Sequence, residues 1–213
     1  MPSLVPIVEG PGDASAVPAL LRKLLAEMRK YEIQVARAKN ANGRGNLDKP
    51  GGLERFIKYA WKEPDCGAII LLVDADADCP IALARSYSDR IANLGILLPV
   101  VIVCPKRTYE AWLVASFETI SDQTIDGRPG PRSCPLPADV ESIPNPTTWI
   151  TKRMPRGRSY KKTTDQEAMT HRLDFELASA RSRSFRRLVH AVEQAVSAIE
   201  SGEKAVYPEP SNV

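Results

Sequence analysis

The sequence predicts an α/β fold with a mainly parallel sheet flanked by helices. Two apolar runs without polar alternation, at 68–73 and 97–103, are typical of strands buried on both faces. Segments with helical spacing alternate with the predicted strands, which is the pattern of a parallel sheet with helical crossovers. With 213 residues, 43% of them hydrophobic, the chain is long enough for one domain with an extension.

The first half of the chain alternates between predicted strands and helices. An apolar strand at 4–9 leads through a glycine-containing turn into a helix at 13–30. An alternating stretch at 31–36 predicts a further strand. A short amphipathic helix is expected at 53–62, with Trp61 on its buried face.

Two further strand–helix pairs complete the predicted core. The buried strand at 68–73 is followed by a helix at about 80–93, and the strand at 97–103 by a helix at 109–116. We therefore assign residues 1–118 to a catalytic core.

The character of the sequence changes after this core. Residues 119–159 are rich in Pro, Gly, Ser and Thr and show little periodicity, which predicts an irregular segment. Helices are expected at 163–180 and 185–201, and the last few residues are expected to be disordered. We assign 119–213 to an irregular and helical extension that packs on the core.

Acidic side chains follow two of the predicted strands. Asp74, Asp76 and Asp78 come directly after one buried run, and Glu9 ends the first strand. Ligands of open α/β sheets bind beyond the carboxyl ends of the strands, and residues two apart in an extended segment point the same way. Carboxylates held together repel one another unless a cation neutralises them, and Mg²⁺ prefers oxygen ligands. The pattern predicts a Mg²⁺ (or Mn²⁺) site formed by Glu9, Asp74, Asp76 and Asp78.

Each of these acids also has a structural alternative as a helix-capping carboxylate. Asp13 fits the N-cap of the first helix, and Asp78 is expected either to join the cluster or to cap the helix that begins near Pro80. A calcium loop is excluded, because the glycine and downstream glutamate of such a loop are missing. Two separate acidic strand ends favour the functional interpretation.

Glu110 and Lys161 extend the predicted site. Glu110 follows the strand at 97–103, where it would be a metal ligand or a carboxylate that orients water; the alternative is a solvent-facing helix residue. Lys161 lies near the end of the irregular segment, and a lysine there would neutralise a phosphate in the transition state. The alternative is a flexible surface lysine. The predicted catalytic residues are Glu9, Asp74, Asp76, Glu110 and Lys161.

A basic segment follows the acidic motifs. Residues 152–187 contain 11 Lys and Arg against 4 Asp and Glu, a net charge of +7, although the whole chain carries only +3. Such a segment attracts phosphate backbones, and its alternative is a solvated helical face. The residues expected to contact nucleic acid are Arg44, in a glycine-rich loop at 40–52, and Lys152, Arg153, Arg156, Arg158, Lys162, Arg186 and Arg187.

Other features point to a cytoplasmic protein without a membrane partner. The sequence has neither an apolar run long enough to span a bilayer nor a secretory signal. Its four cysteines lack metal-binding spacing, so a reduced compartment fits better than a disulfide framework or a zinc site.

The acidic strand ends resemble those of a known domain. A strand ending in Glu9-Gly10, followed later by one ending in Asp74-x-Asp76, resembles the Toprim domain of topoisomerases, primases and OLD-family nucleases. A longer series resembles a bacterial family known as domain of unknown function 4276, commonly described as Toprim-like. Its motifs here are Val8-Glu9-Gly10 with Asp13, and the segments 73–78, 109–116, 160–162 and 184–188.

The resemblance implies a Toprim/Rossmann-like fold and specific roles. Glu9 becomes the general acid/base, Asp74 and Asp76 become metal ligands, and Asp78 is a third candidate ligand. It also implies an AAA-type or SMC-like ATPase partner in genome defence. That ATPase would be a separate protein, because this chain has no Walker motif.

The leading functional hypothesis is Mg²⁺-dependent hydrolysis of phosphodiester bonds in nucleic acid, with DNA favoured over RNA. One alternative is a non-catalytic or partner-activated regulatory subunit of an ATPase system. The other is a small-molecule phosphohydrolase with Asp74 as nucleophile and Asp76 as acid/base.

Overall fold

A parallel sheet forms the centre of the molecule. The computed structural model describes residues 1–209. The strands are β1 (Ser3–Val8), β2 (Gln34–Val35), β3 (Lys39–Asn40), β4 (Cys66–Leu72), β5 (Val100–Val103), β6 (Thr124–Ile125), β7 (Arg128–Pro129) and β8 (Val206–Tyr207). The main sheet has the order β2-β1-β4-β5-β8, with β3 also paired to β1, and all its pairs are parallel. Strands β6 and β7 form a separate antiparallel pair.

Helices cover both faces of this sheet. They are α1 (Asp13–Glu27), α2 (Gly45–Asp48), α3 (Gly52–Trp61), α4 (Pro80–Ala92), α5 (Glu110–Ala115), α6 (Pro146–Thr151), α7 (Glu167–Thr170), α8 (Phe175–Arg181) and α9 (Arg183–Ser201). A π-helical turn spans Lys162–Gln166. This architecture confirms the predicted fold class. Among residues 1–209, no helix combines the length and apolar character needed to cross a membrane.

The alternation of side chains along the strands divides the core in two. Val8, Leu72 and Val103 pair across β1, β4 and β5 and face the layer that contains α1, α5 and α9. Their neighbours Ile7 and Leu71 face the opposite layer, with α3 and α4. Because both layers are apolar, the central strands need the continuous hydrophobic runs that the sequence displays.

The three central strands end at the same level. Since Val8, Leu72 and Val103 are in register, the segments that follow them emerge together at the carboxyl edge of the sheet. Pairing continues beyond the strands: the Ala75 N–H donates to the Pro105 carbonyl at 3.1 Å. The acidic segments after β1, β4 and β5 are therefore brought to one place.

The C-terminal segment departs from the predicted pattern in three places. The helix expected at 163–180 is divided into the π-helical turn, α7 and α8, because the Asp174 side chain caps a new helix by accepting from the Leu177 N–H. The irregular segment 119–159 contains α6, which the Asn145 side chain caps. Strand β8, which the sequence did not predict, extends the sheet beside β5.

Two smaller expectations also differ. Only Gln34–Val35 of the strand expected at 31–36 is extended. Trp61, predicted to be buried, is 41% exposed, since α3 buries Leu53, Ile57 and Ala60 instead. The expected disorder of the last few residues concerns 210–213, outside the described residues.

Candidate active site

Asp74 lies at the centre of the carboxyl edge. Its side chain is only 6% exposed. One carboxylate oxygen, Oδ1, accepts a hydrogen bond from the Tyr109 backbone N–H at 2.9 Å, and the other, Oδ2, lies 3.5 Å from the Lys162 ammonium. Burial raises the pKa of Asp74 well above its ordinary value, and neighbouring acids add to the rise while Lys162 opposes it. Asp74 is thus held in place from two sides in a poorly solvated position.

Glu110, in the first turn of α5, approaches the same Lys162 ammonium as Asp74. It is fully buried, which excludes the solvent-facing alternative. The Thr108 hydroxyl donates to Oε2 at 2.7 Å and the Tyr160 hydroxyl donates to Oε1 at 3.2 Å. The Lys162 ammonium lies 3.4 Å from Oε1. Buried carboxylates need such partners, because an unpaired charge away from water is costly.

Lys162 is the cation shared by these carboxylates. Burial alone would lower the pKa of its ammonium, but the carboxylates of Glu110, Asp74 and Asp13 outweigh burial and raise it above the ordinary value. Lys162 therefore stays positively charged. Its side chain remains 37% exposed, so the ammonium has a path to solvent.

Glu9 and Asp13 approach from the turn after β1. The Oε2 atom of the Glu9 carboxylate is buried without a hydrogen-bond partner. Burial raises the pKa of Glu9, and the nearby carboxylates of Asp76 and Asp13 raise it further. Glu9 in turn contributes to the raised pKa of Asp74. Glu9 is thus close enough to both Asp74 and Asp76 for the negative charges to repel one another across these two pairs.

Asp13 does not act as the N-cap that the sequence suggested. The N-cap position is Gly12, and Asp13 is the first residue of α1, with its side chain turned into the site. Its Oδ2 atom accepts from the Gly10 N–H at 3.2 Å, and its Oδ1 atom from the Gln166 amide at 2.7 Å. Burial raises the pKa of Asp13.

The strap, defined as residues 160–166, covers the site from the C-terminal half of the chain. It supplies the Tyr160 hydroxyl, the Lys162 ammonium and the Gln166 amide described above. The strap approaches the β1–α1 turn so closely that a Cβ atom at Gly12 would lie 2.4 Å from Gln166 Oε1 and 2.6 Å from Lys162 Cβ. Glycine is therefore needed at position 12, and π-helical turns of this kind are frequent at functional sites.

Asp76 and Asp78 lie at the solvent-exposed rim of the site. Asp76 has a left-handed backbone conformation (φ 48°), and its N–H donates to the Arg107 carbonyl at 2.8 Å. Asp78 forms an ion pair with Arg44. The N-cap of α4 is Cys79, so the predicted capping role of Asp78 is wrong. Its predicted role as a metal ligand stays a prediction.

The donor set fits a hard divalent cation in its chemistry. The side chains are carboxylates that outnumber the ammonium among them, and one buried oxygen, Glu9 Oε2, has no partner. Within residues 1–209, however, no group of three or more His, Cys, Asp or Glu side chains is arranged to hold a metal ion. The position on Asp74 Oδ2 and Glu110 Oε1 is taken by the Lys162 ammonium.

Comparison with known protein families identifies the family of this chain. A family model described as "Domain of unknown function (DUF4276)" matches residues 8–193. The chain belongs to the DUF4276 family. The match begins one residue before Glu9 and includes Asp74, Glu110 and the strap. No curated protein and no solved structure matches the chain.

In this DUF4276 chain, Lys162 takes the position that we expected for Lys161. The Lys161 side chain is exposed, and its backbone N–H donates to the Asp165 carboxylate at 2.8 Å. Because adjacent residues leave a helical turn in different directions, only the second lysine reaches Asp74 and Glu110. The prediction of a catalytic Lys161 is corrected accordingly.

The basic residues predicted to contact nucleic acid are dispersed, and several of them contact other side chains of the protein. Arg153 stacks on Trp149, with its guanidinium 3.4 Å from the ring centre, and Arg158 pairs with Asp165. Arg187 donates to the Gln194 side chain at 3.2 Å. Arg44 lies beside the site through its ion pair with Asp78. The members of the predicted set that are exposed are Lys152, Arg156 and Arg186.

Sequence reasoning missed Gln166 and the Tyr109 N–H. Glutamine in a helical segment has no distinctive signal, and a backbone donor depends on the loop conformation rather than on the residue type. The sequence did indicate that this region belongs to the site, because Tyr109 and Glu110 follow β5 and form the third acidic strand end beside the other two.

Proposed function

We propose that the chain is a Mg²⁺-dependent phosphodiesterase that acts on nucleic acid, in the manner of a Toprim nuclease. The observation that carries the proposal is the convergence of Glu9, Asp74 and Asp76 with Glu110 at one edge of a parallel sheet. These residues come from three separate strand ends. Burial raises the pKa values of Glu9 and Asp74, and neighbouring carboxylates add to the rise. Structural helix caps would not need to meet at one edge of the sheet.

Glu9, Asp74 and Asp76 would hold Mg²⁺ or Mn²⁺. Asp78 is a weaker candidate because Arg44 already neutralises it. A bound divalent cation supplies positive charge to the phosphoryl oxygens as the phosphodiester reacts. The protein contributes to the orientation of these ligands, because the Tyr109 N–H donates to Asp74.

Glu9 and Lys162 would also assist the reaction directly. Glu9 is suited to proton transfer, because its raised pKa brings the carboxyl closer to neutral pH. Lys162, which remains charged, would stabilise the negative charge that develops on the phosphate. Glu110 orients Lys162 from within the core.

We propose that the substrate is nucleic acid in the cytoplasm, with DNA favoured over RNA. The exposed Lys152, Arg156 and Arg186 are available to the sugar–phosphate backbone, and the net charge of segment 152–187 supports such binding. We further propose an AAA-type or SMC-like ATPase partner in a genome-defence setting, on the basis of the resemblance alone.

A cleavage assay tests the proposed reaction. Plasmid and oligonucleotide DNA are incubated with Mg²⁺ or Mn²⁺ and the wild type, Asp74→Asn, Glu9→Gln or the exposed control Glu32→Gln. We expect Asp74→Asn and Glu9→Gln to lose about 100-fold or more in rate, as removal of one acid–base or charge-stabilising group does. Glu32→Gln should cleave like the wild type. Equal cleavage by all four proteins would contradict the proposal.

One observation favours a second candidate, a partner-activated subunit. The described carboxylates do not form a three-ligand group in the isolated chain. Binding of an ATPase partner would then complete the site. Cleavage that appears only when the partner is added would support this form of the function.

The small-molecule phosphohydrolase is less well supported. That reaction needs Asp74 as an accessible nucleophile, whereas Asp74 is buried and both its oxygens have partners. Absence of a phosphoaspartate analogue with beryllofluoride would agree with this conclusion.

A further inference from the structure

Lys162 occupies the one oxygen of Asp74 that the protein backbone leaves available. Oδ1 is held by the Tyr109 N–H, so Oδ2 is the atom that faces another ligand, and the Lys162 ammonium lies 3.5 Å from it. The same ammonium lies 3.4 Å from Glu110 Oε1. These distances are those of an ion pair with, at most, weak hydrogen bonds. Lys162 is therefore a counter-ion held mainly by charge.

The backbone that carries Lys162 is anchored without its ammonium. The Lys161 N–H and the Arg158 guanidinium both contact Asp165, and the Gln166 amide holds Asp13. The strap can thus keep its position while the partly exposed Lys162 side chain changes rotamer towards solvent. Such a rotamer change in an exposed side chain is fast compared with catalysis.

A divalent cation and the ammonium cannot share these oxygens without strong repulsion. Two positive charges at a few ångströms oppose one another in a poorly solvated site, where screening is weak. Removing either cation, in contrast, would leave Asp74 and Glu110 with uncompensated charge. The site therefore needs a cation at this position and has room for one at a time.

We propose that Lys162 is the resident counter-ion of the metal-free site and competes with the divalent cation for Asp74 Oδ2. This inference rests on the proposed function, because it assumes that the site takes a divalent cation. Metal binding then moves the ammonium away from Asp74, which places it nearer the solvent side, where a phosphate would approach. Lys162 lowers the affinity for metal and stabilises the metal-free protein.

The test measures binding of Mn²⁺ alone, without substrate or turnover. Free Mn²⁺ is followed by electron paramagnetic resonance as it is titrated into the wild type, Lys162→Met and the matched control Lys161→Met. We expect Lys162→Met to bind Mn²⁺ about tenfold more tightly, because a like charge next to the site is removed. Lys161→Met should bind like the wild type, since its side chain contacts neither Asp74 nor Glu110. Adding Asp74→Asn to Lys162→Met should abolish the gain in Mn²⁺ affinity.

Thermal unfolding provides a second measurement on the same proteins. Without metal, Lys162→Met should have a lower Tm than the wild type, and saturating Mn²⁺ should raise its Tm by more than that of the wild type. If Lys162→Met does not fold, Lys162→Gln replaces it in both measurements. Lys162→Arg keeps the positive charge and should therefore bind Mn²⁺ with wild-type affinity.

The outcomes separate this inference from the proposed function. Wild-type protein that binds Mn²⁺, together with Lys162→Met that binds equally or more weakly, would overturn the competition and leave the metal-dependent function standing. Mn²⁺ binding by Lys162→Met but not by the wild type would support the competition. Failure of every protein to bind Mn²⁺ would overturn both proposals.

Discussion

At the scale of single residues, the buried carboxylates of the site are stabilised by hydrogen-bond donors and by one positive charge. Asp74, Glu110 and Asp13 each accept from a neutral donor, and Lys162 supplies the positive charge between them. The strand ends made Glu9 and Asp74 predictable from sequence, because a buried apolar run fixes where its strand stops. The choice between Lys161 and Lys162 was not predictable, since it depends on the direction in which a π-helical turn presents its side chains.

Gly12 provides a prediction at this scale. A methyl group at position 12 would overlap Gln166 Oε1, Lys162 Cβ and the Lys162 backbone. We expect Gly12→Ala to reduce the free energy of unfolding by about 1–3 kcal/mol, the usual cost of overpacking, and to displace the strap. Gly45→Ala is the control, because a Cβ there meets nothing within 4 Å. Equal stability of the two variants in urea unfolding would show that the close approach is absent.

At the scale of secondary structure elements, α9 is fixed to the core by a capping network. Glu141 Oε1 accepts from the Ser182 hydroxyl at 2.7 Å and from the Ser184 N–H at 2.8 Å, and the Trp112 indole donates to the Ser184 hydroxyl at 2.9 Å. The sequence predicted a helix at 185–201, which α9 confirms, but it did not identify Ser182 as the N-cap. Glu141 was not predictable, because it comes from an irregular segment 41 residues earlier.

Glu141 gives a pH-dependent prediction. Burial would raise the pKa of Glu141, but hydrogen bonds from Ser184 and Ser182 outweigh it and hold the pKa below the ordinary value of 4.5. A carboxylate with a depressed pKa stabilises the folded state above its unfolded pKa, and this stability is lost as the pH falls through the folded pKa. Glu141→Gln should therefore lower the free energy of unfolding by about 1–2 kcal/mol at pH 7 and by less at pH 3–4.

Urea unfolding at the two pH values checks this prediction. The control is Glu118→Gln, whose exposed pair with Arg181 should contribute less than about 1 kcal/mol at pH 7. A cost for Glu141→Gln that does not change with pH would contradict the assigned role of its carboxylate.

At the scale of the whole molecule, the N-terminal and C-terminal parts share one hydrophobic core. Residues from β1, α1 and β4 pack in the same cluster as Phe185, Leu188 and Ala191 of α9. The sequence predicted the parallel sheet, because buried strands alternate with helices. It did not predict β8, since two residues beside β5 carry too little periodicity to be recognised.

A fragment of residues 1–118 tests this shared core. Without α9, the face of the sheet formed by Leu72, Val101 and Val103 would lose apolar cover. We expect the fragment to lack cooperative thermal unfolding, whereas the full chain unfolds in one transition. A fragment with a dispersed NMR spectrum and a cooperative melt would contradict the shared core.

The proposed function requires a divalent cation to bind the carboxylates at the ends of β1 and β4. A crystal soaked in Mn²⁺ and measured at the manganese absorption edge tests this directly. We expect an anomalous peak in contact with Glu9, Asp74 and Asp76, with the Lys162 ammonium moved away from Asp74. Lys162 still seated on Asp74, with no anomalous peak at these carboxylates, would contradict it.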